Sequence, residues 1–312
     1  MKLIIQIPCY NEQYALPITL KSLPKKIKSI DTIEYLIIDD GSTDRTIEIA
    51  KKNDVHHIVR LPRHSGLAKA FMKGIEVCLS FGADIIVNID ADNQYCADDI
   101  EKLVEPIIEN RAEIVVGERP IEKMKDFSKV KKFLQKFGSW VVKIVSGTNI
   151  KDAPSGFRAI SREAAYLLNV FSKYTYTLET IIQAGLSGIT IQSIPIRVNE
   201  QLRPSRLIKS IPSYINRSLI TILRIFITYK PLRFFTIISL IFLIPGIVLG
   251  IRFLYFFIVG NGVGHVQSLI FAAILIILGV LFGILGLIGD LISKNRRLLE
   301  DIQYNLRKNI YK

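Results

Sequence analysis

Two long apolar runs in the C-terminal third constrain what this chain can fold into. They extend from Phe234 to about Ile258 and from Val266 to about Ile292. As a helix, each is long enough to cross the roughly 30 Å hydrocarbon core of a bilayer. A buried helical hairpin in a soluble protein fits poorly with two runs of this length. We therefore predict two transmembrane helices.

The positive charge of the chain lies mainly around these runs. From Arg206 onward, thirteen Lys and Arg stand against three acidic residues, whereas the preceding residues carry 28 against 25. A basic excess beside apolar spans is typical of a chain held against anionic lipid headgroups. A nucleic-acid-binding domain would carry the excess on its folded part instead, so we expect no nucleic-acid partner.

The flanks of the runs predict their orientation. The connection Val259–His265 contains no Lys or Arg, whereas both outer flanks are basic. The positive-inside rule therefore places the outer flanks, and with them the rest of the chain, in the cytoplasm. The three cysteines are widely spaced, without a disulfide or metal-ligand pattern, and fit a reducing compartment. The basic residues of the flanks are Lys230, Arg233, Lys294, Arg296 and Arg297.

Two further segments combine basic and apolar residues at helical spacing. Phe127–Val145 contains several lysines together with phenylalanines and Trp140. It could lie on a membrane surface or pack its apolar side on the core of a domain. Arg206–Tyr229 runs directly into the first apolar run, which favours an interfacial helix there.

Before Arg206 the sequence alternates between short apolar runs and helical patterns. This alternation predicts an α/β fold with a mostly parallel sheet that helices cover on both faces. The predicted strands are Leu3–Ile7, Tyr35–Ile38, His57–Leu61, Asp84–Ile89 and Glu113–Val116, and the predicted helices are approximately Gln13–Ile30, Thr43–Asn53, Leu67–Phe81 and Ala97–Asn110.

Polar clusters directly follow three of these strands. They are Pro8–Glu12, Asp39–Asp44 and Asp90–Gln94. Ligands of parallel sheets bind beyond the carboxyl ends of the strands, so three separate segments place polar groups at one edge. We predict the functional site at this edge.

Asp90 and Asp92 are the best candidates for a metal site. Two carboxylates separated by one small residue at a strand end can approach one hard cation, and Gln94 could add an amide oxygen. Mg²⁺ and Mn²⁺ prefer such oxygen ligands and often share them with substrate phosphates. A solvated Asp-rich loop would look similar, but the apolar strand before Asp90 favours a site. The adjacent carboxylates of Asp39 and Asp40 could accept hydrogen bonds from a ribose or a base.

Five motifs in order along the chain resemble a known family. Together they resemble the family 2 glycosyltransferases, which have the GT-A fold, and among them the dolichol- and undecaprenyl-phosphate sugar synthases. The resemblance covers roughly residues 1–200, and the two apolar runs are similar to the transmembrane hairpin of some members. The motifs are Pro8–Glu12, Asp39–Asp44, Gly66–Ala70, Asp90–Gln94 and Ser155–Arg158.

The resemblance implies roles for individual residues. A nucleotide would lie near Pro8, Tyr10, Asn11, Glu12, Asp39, Asp40, Lys69 and Asp90. A Mg²⁺ or Mn²⁺ ion would be held by Asp90 and Asp92 with Gln94. The catalytic residues would be Asp92, Arg119, Ser155, Arg158 and Glu179.

The acceptor end of the site is where the chain departs from the family pattern. Gln201 and Arg203 stand where the family often has Arg and Gly, so either Arg203 or Arg206 would bind the acceptor phosphate. Glu179 stands where related enzymes place a base, although a phosphate that is already anionic scarcely needs one.

The resemblance predicts an inverting glycosyltransferase that moves a sugar from a UDP- or GDP-linked donor to a polyisoprenyl phosphate at the cytoplasmic face of the bilayer. One alternative is a non-catalytic, membrane-anchored nucleotide-binding protein. A processive polysaccharide synthase has less support, because Trp140, the only tryptophan, does not fit the Gln-x-x-Arg-Trp motif of those enzymes. The sequence leaves open whether the chain forms a homo-oligomer.

The predicted organisation has four parts. A GT-A-like cytoplasmic catalytic domain spans 1–204, and an amphipathic juxtamembrane segment spans 205–231. The two transmembrane helices lie within 232–292, and a basic cytoplasmic tail spans 293–312.

Overall fold

The structure is a computed structural model that describes most of the chain in two units. The first unit contains Met1–Ser218 and Glu300–Lys312, and the second contains Leu219–Leu299. The described residues are 1–121, 129–170, 176–200, 220, 223–224, 227–260 and 262–311, without the side chains of 129–135 and 262–263.

A single sheet forms the centre of the first unit. Its strands are β1 (Lys2–Cys9), β2 (Thr32–Asp39), β3 (His57–Arg60), β4 (Ile85–Asn88), β5 (Ile114–Glu118), β6 (Arg158–Ser161) and β7 (Ile191–Pro195). The seven strands lie in the order β3-β2-β1-β4-β6-β5-β7. Only the pairs that β6 makes with β4 and β5 are antiparallel. The prediction of a mostly parallel α/β sheet is confirmed.

The centre of the sheet is buried on both faces. Every residue of β4 is buried, and so is β1 from Leu3 onward. Strands covered on both sides read as continuous apolar runs, which is why the sequence located them. The chain builds outward from β1 through β2 to β3 and then returns to place β4 on the other side of β1. The carboxyl ends of β1 and β4 therefore open a crevice at the point where the strand order reverses.

Helices alternate with the strands as predicted, but the first is much shorter than expected. The predicted helix Gln13–Ile30 ends at Ser22, because Leu23 takes an extended conformation (φ −65°, ψ 140°) before Pro24. A residue that precedes proline is disfavoured in the helical region. The helices of this unit are α1 (Leu16–Ser22), α2 (Thr46–Lys52), α3 (Leu67–Ser80), α4 (Ile100–Ile108), α5 (Lys129–Ser146), α6 (Arg162–Leu167) and α7 (Thr177–Leu186).

The second unit contains two long helices, α8 (Pro231–Ile258) and most of α9 (Val266–Ile310). Both are long and apolar enough to cross a membrane, and only 11% and 17% of their most apolar stretches are buried. Core helices of a soluble protein would be mostly buried, so this exposure favours contact with lipid. Small residues bring the helices together: a Cβ on Gly279 would lie 2.5 Å from Leu243 Cγ, and Ser239 Oγ donates to the Gly279 carbonyl at 2.7 Å.

The C-terminal end of α9 returns to the first unit. Arg307 is buried there, and its guanidinium donates to the carbonyls of Leu168 (2.5 Å) and Tyr166 (3.4 Å). These carbonyls lie at the end of α6, where no helical N–H group remains to pair with them. Beside them Lys308 donates to Glu163 at 3.1 Å. The predicted basic tail is thus part of a helix whose end is fixed to the sheet-containing unit.

Replacing Arg307 should loosen this attachment. Arg307→Ala leaves buried carbonyl oxygens without a donor, which costs about 1–3 kcal/mol. We expect faster hydrogen–deuterium exchange across residues 300–311 and a lower melting temperature. Lys308→Ala, which removes an exposed pair, serves as the control and should change little. Unchanged exchange in Arg307→Ala would contradict the attachment.

Candidate active site

The loops that follow β1, β2 and β4 meet at the edge predicted from the sequence. The loop after β1 is fixed to the loop after β2 by side chains. Asn11, in the left-handed region (φ 56°), accepts the backbone N–H of Thr43 on its Oδ1 at 2.8 Å. The N–H of Asn11 donates to Ser42 Oγ at 2.9 Å, and that of Glu12 to Thr46 Oγ1 at 2.9 Å. The predicted nucleotide-binding residues Asn11 and Glu12 therefore lie on a braced loop, next to Pro8, which is buried in β1.

Asp40 organises a third loop at this edge. Its buried carboxylate accepts the N–H groups of Ser65 (2.7 Å) and Gly66 (2.8 Å) just before α3, and His64 Nδ1 lies 2.8 Å away. The His64 ring stacks on Tyr10 with 4.0 Å between ring centroids. Together these contacts give the edge an aromatic wall. His64 was not predicted as a site residue, although its position shortly after a predicted strand could have indicated it.

Asp39 stabilises the turn against which the backbone of His64 packs. Its buried carboxylate accepts the N–H of Ser42 at 3.1 Å and lies 3.4 Å from Arg60 Nε. Gly41 follows with φ +75°, and a Cβ on it would lie 2.8 Å from the backbone nitrogen of His64. Only glycine allows that approach at this φ. Both carboxylates of the Asp39–Asp40 pair thus already bind protein groups, and their contact with a nucleotide stays a prediction.

Asp90 and Asp92 lie just beyond the end of β4 and are both half-buried. Within the described residues, no hydrogen bond or ion pair reaches the Asp90 carboxylate. Asp92 Oδ1 accepts the N–H of Gln94 at 3.1 Å, which folds the loop back on itself. Burial and the neighbouring charge of Asp92 raise the pKa of Asp90 to about 7, although Arg119 opposes the shift. A bound cation would offset the repulsion between the two carboxylates.

Hydrogen bonds from the chain after β7 stabilise the loop that carries Asp92. Asn199 Nδ2 donates to the carbonyls of Asn93 (3.0 Å) and Tyr95 (3.2 Å), and the N–H of Asn199 donates to the Gln94 carbonyl at 2.8 Å. Gln94, the third predicted metal ligand, is half-buried. These hydrogen bonds therefore restrict the conformations of the loop that carries the two carboxylates.

Gly156 covers Asp90 closely. A Cβ at this position would lie 3.1 Å from Asp90 Oδ2 and 2.9 Å from the Tyr176 hydroxyl oxygen. Asn88 fixes the loop here, because its Nδ2 donates to the Gly156 carbonyl and to the Tyr176 hydroxyl, both at 2.9 Å. The N–H of Gly156 donates to the Tyr95 hydroxyl at 3.1 Å. Asn88, Tyr95 and Tyr176 carry no local sequence signal, since each acts through contacts with distant parts of the chain.

Arg119 is held rigidly beside this loop. It pairs with buried Asp152 through two bonds, Nε to Oδ2 at 2.7 Å and Nη2 to Oδ1 at 3.0 Å. Burial alone would lower the pKa of Arg119, but Tyr95 and Asp152 outweigh it and raise the pKa. Arg119 is therefore a fixed positive charge, as its predicted role near phosphates requires. Asp152, which orients it, was not predicted.

Ser155 and Arg158 belong to the same loop but differ in their surroundings. Arg158 is buried, and it donates to the carbonyls of Ser155 (2.9 Å) and Ala153 (2.7 Å) and to Thr180 Oγ1. Burial lowers the pKa of Arg158 to about 10, so it stays protonated at neutral pH. These contacts favour a positioning role for Arg158. The hydroxyl of Ser155 is buried without a hydrogen-bond partner in the described part of the chain, and its contact with a substrate stays a prediction.

The remaining predicted residues lie at the margin. Glu179 is half-buried in the first turn of α7, and Lys69 is exposed in the first turn of α3. Their predicted roles are not tested by this geometry. Arg203 and Arg206, predicted at the acceptor phosphate, lie outside the described residues.

The raised pKa of Asp90 predicts an unusual pH dependence. Without metal, the folded protein holds a proton on Asp90 up to about pH 7, whereas the unfolded chain releases it near pH 4. The free energy of unfolding should therefore fall as pH rises through this window. Asp90→Asn has no carboxyl group at this position and should not show the fall in stability. In EDTA, the melting temperature of the variant minus that of the wild type should therefore be larger at pH 8 than at pH 5. An equal difference at both pH values would contradict the shift.

Comparison with known proteins agrees with the geometry. Residues 4–167 match the model of the family described as glycosyl transferase family 2. A UDP-N-acetylglucosamine–dolichyl-phosphate N-acetylglucosaminyltransferase of Methanococcus voltae is 29% identical over 214 residues, which is 61% of this chain and 83% of that protein. An undecaprenyl-phosphate mannosyltransferase of Micrococcus luteus is 28% identical over 211 residues, with coverages of 64% and 85%.

Solved structures agree on the fold. Glucosyl-3-phosphoglycerate synthase from Mycobacterium tuberculosis, crystallised with Mn²⁺, UDP and glucosyl-3-phosphoglycerate, has a TM-score of 0.56 at 17% identity. The match covers 73% of this chain and 79% of that chain. The predicted GT-A-like fold is thus confirmed, as is the predicted resemblance to dolichyl- and undecaprenyl-phosphate sugar transferases. The chain belongs to glycosyl transferase family 2 and is a glycosyltransferase.

Proposed function

We propose that this glycosyltransferase moves a sugar, with inversion, from a nucleoside diphosphate to a polyisoprenyl phosphate at the cytoplasmic face of a membrane, using Mg²⁺ or Mn²⁺. The observation that carries the proposal is the pair of half-buried carboxylates, Asp90 and Asp92, just beyond the end of β4, with Gly156 close against Asp90. The relatives from Methanococcus voltae and Micrococcus luteus, which act on dolichyl and undecaprenyl phosphate, support the acceptor class. They transfer different sugars, so we leave the donor open between UDP- and GDP-linked sugars.

The residues present fit a divalent cation that is shared with a substrate. The described residues contain no group of three or more His, Cys, Asp or Glu side chains able to hold a metal. A protein that supplies only Asp90, Asp92 and the amide of Gln94 suits a cation whose shell is completed by phosphate oxygens and water. When bound, such a cation would neutralise charge on the diphosphate leaving group.

The chain's own residues supply a rigid, charged surround for a single displacement. An oxygen of the lipid phosphate attacks the anomeric carbon while the bond from that carbon to the diphosphate breaks, and the electron pair leaves with the nucleoside diphosphate. Arg119, fixed by Asp152, stabilises the charge that develops on the leaving group. Ser155 offers a hydroxyl to the reacting groups, and Arg158 holds the loop on which Ser155 lies. The attacking phosphate is anionic already, so Glu179 is not required as a base.

The membrane part of the proposal rests on the second unit. Its two apolar helices are candidate membrane spans. Basic residues flank both outer ends, and the connection between the helices has no Lys or Arg. By the positive-inside rule this supports a cytoplasmic site.

Loss of one carboxylate should abolish transfer without unfolding the protein. Asp92→Asn should lower the rate by more than the roughly 10–100-fold that is typical of outer-shell partners of metals. The assay measures radiolabel that enters the lipid fraction from UDP- and GDP-sugars with polyprenyl phosphate and Mn²⁺ or Mg²⁺. Asp98→Asn, on an exposed side chain near the same loop, is the matched control and should retain activity. Full activity of Asp92→Asn, or activity that persists in EDTA, would refute the metal assignment.

The close approach of Gly156 to Asp90 gives a second test. Gly156→Ala puts a methyl group against Asp90 and the Tyr176 hydroxyl, so the loop or the carboxylate must shift. A misplacement of about 1 Å can cost about 10²-fold in rate, so we expect a fall of about ten- to a hundredfold. Gly138→Ala, where a Cβ would meet nothing within 4 Å, should keep its rate. If both variants keep theirs, the loop does not need to lie close to Asp90.

A further inference from the structure

Arg252 is a charged side chain inside the apolar helix α8, the first candidate membrane span. It is the only Lys, Arg, Asp or Glu between Arg233 and Asp290, so the sequence supplies no acidic residue near it to balance its charge. Arginine carries a positive charge throughout the physiological pH range. Ionisable residues are rare inside membrane helices and are commonly functional there. The surroundings of Arg252 therefore decide what balances its charge.

The packing of α8 on α9 places Arg252 near one end of the helical pair. A Cβ on Gly246 would lie 2.9 Å from Ile276 Cγ1, and glycines of α9 meet α8 in the same antiparallel register. Since both helices rise equally per residue, this register sets Arg252 level with about Ile270. The contacts thus give the depth of Arg252 in both helices.

This depth coincides with a boundary of the apolar layer. Arg252 follows Arg233 by nineteen residues, which is about 28 Å along a helix and matches the roughly 30 Å hydrocarbon core of a bilayer. Polar side chains of α9 begin just beyond the same level, at Ser268 and Gln267. Arg233 and Arg252 therefore mark the two boundaries of one apolar layer.

An aromatic stack directs Arg252 toward its boundary. The Arg252 Cζ lies 5.8 Å from the centroid of the Phe256 ring, one turn nearer the end of α8. The Phe256 ring stacks in turn on His265, with 4.0 Å between ring centroids. Arg252 is exposed, and within the described residues no hydrogen bond or ion pair reaches its guanidinium. The stack therefore holds the charge at the boundary and leaves its N–H donors without an acceptor.

We propose that Arg252 binds the phosphate group of an anionic lipid in the leaflet at this end of α8 and α9. Phosphate matches the guanidinium in charge and in shape, because two parallel N–H groups can donate to two of its oxygens. Lipid phosphates lie just outside the hydrocarbon core, at the depth to which Arg252 reaches. The inference rests on the membrane part of the proposed function, that both helices span the bilayer, and does not depend on sugar transfer.

Tryptophan fluorescence can measure which lipids lie next to Arg252. In the full-length protein, Trp140→Phe/Val248→Trp leaves one tryptophan, one turn before Arg252 on the same side of α8, at a position that is 59% exposed. The protein is reconstituted in mixed bilayers of phosphatidylglycerol and phosphatidylcholine, and one or the other lipid carries brominated acyl chains. Because bromine quenches only nearby tryptophan, the two quenching levels give the local lipid preference. We expect a several-fold preference for phosphatidylglycerol.

A second probe and two substitutions provide the controls. Trp140→Phe/Ile241→Trp moves the probe two turns further from Arg252, to a position on the same side of α8 that is 62% exposed. That probe should show nearly equal access of both lipids. In the Val248→Trp protein, Arg252→Gln should abolish the preference. Arg252→Lys keeps the charge without the paired N–H groups and should give an intermediate preference.

The results separate the inference from the proposed function. Equal access of both lipids to the Val248→Trp probe, or a preference that survives Arg252→Gln, would overturn the inference. Loss of quenching by both lipids as the ratio of protein to lipid rises would place a second copy of the chain here and would also overturn it. If brominated phosphatidylcholine quenches neither probe, the membrane part of the proposed function fails, and the inference fails with it. A preference for phosphatidylglycerol in a protein that transfers no sugar to polyprenyl phosphate would support the inference and refute the proposed acceptor.

Competition between lipids identifies the source of the phosphate, which phospholipids and polyisoprenyl phosphates both carry. Unbrominated phosphatidylglycerol or polyprenyl phosphate is added to displace brominated phosphatidylglycerol from the Val248→Trp probe. Equal potency of the two assigns the site to phospholipids in general. Displacement by polyprenyl phosphate at a much lower mole fraction assigns it to the isoprenoid-linked phosphate. Both outcomes support binding of a lipid phosphate at Arg252, whereas failure of both lipids to displace the quencher would overturn it.

Discussion

The side chain of Asn88 joins three segments that are far apart in sequence, and the active-site edge depends on that junction. At the end of β4 it accepts from Gln6 of β1 at 2.9 Å and donates to the Gly156 carbonyl and the Tyr176 hydroxyl. All of these groups are buried, so each unmade bond would cost the desolvation of a polar group. The network therefore admits one arrangement of the loop over Asp90, and the stacking of Tyr176 on Phe71 at 3.8 Å fixes it further.

The parts of the fold that depend on local pattern could be predicted from sequence. The strands from β1 to β5 were found because buried parallel strands form apolar runs bounded by polar loops. β6 and β7 were not predicted. β6 has only four residues and begins with the charged Arg158, whose burial depends on distant carbonyls. The early end of α1 could have been read from Pro24, but helical periodicity continued past it and dominated the prediction.

The same division applies to the candidate site. The edge could be placed because strand ends converge in any parallel sheet. What Asp39 and Asp40 bind could not be predicted, since their partners at Ser42, Ser65 and Gly66 depend on the path of loops between elements. The role of Asp152 could not be predicted from the sequence for a related reason. A lone aspartate in a loop carries no signal until the fold brings an arginine to it.

The return of α9 to the first unit limits how far the protein can be divided. The sheet-containing unit is completed by residues that follow the apolar helices in sequence, and Arg307 among them provides donors for the last carbonyls of α6. A shortened chain that stops before the apolar helices would lack that arginine and would expose the surface that the end of α9 covers. The sheet-containing unit is therefore built from two stretches of chain on either side of the apolar helices, and it cannot be gained or exchanged as a single contiguous segment.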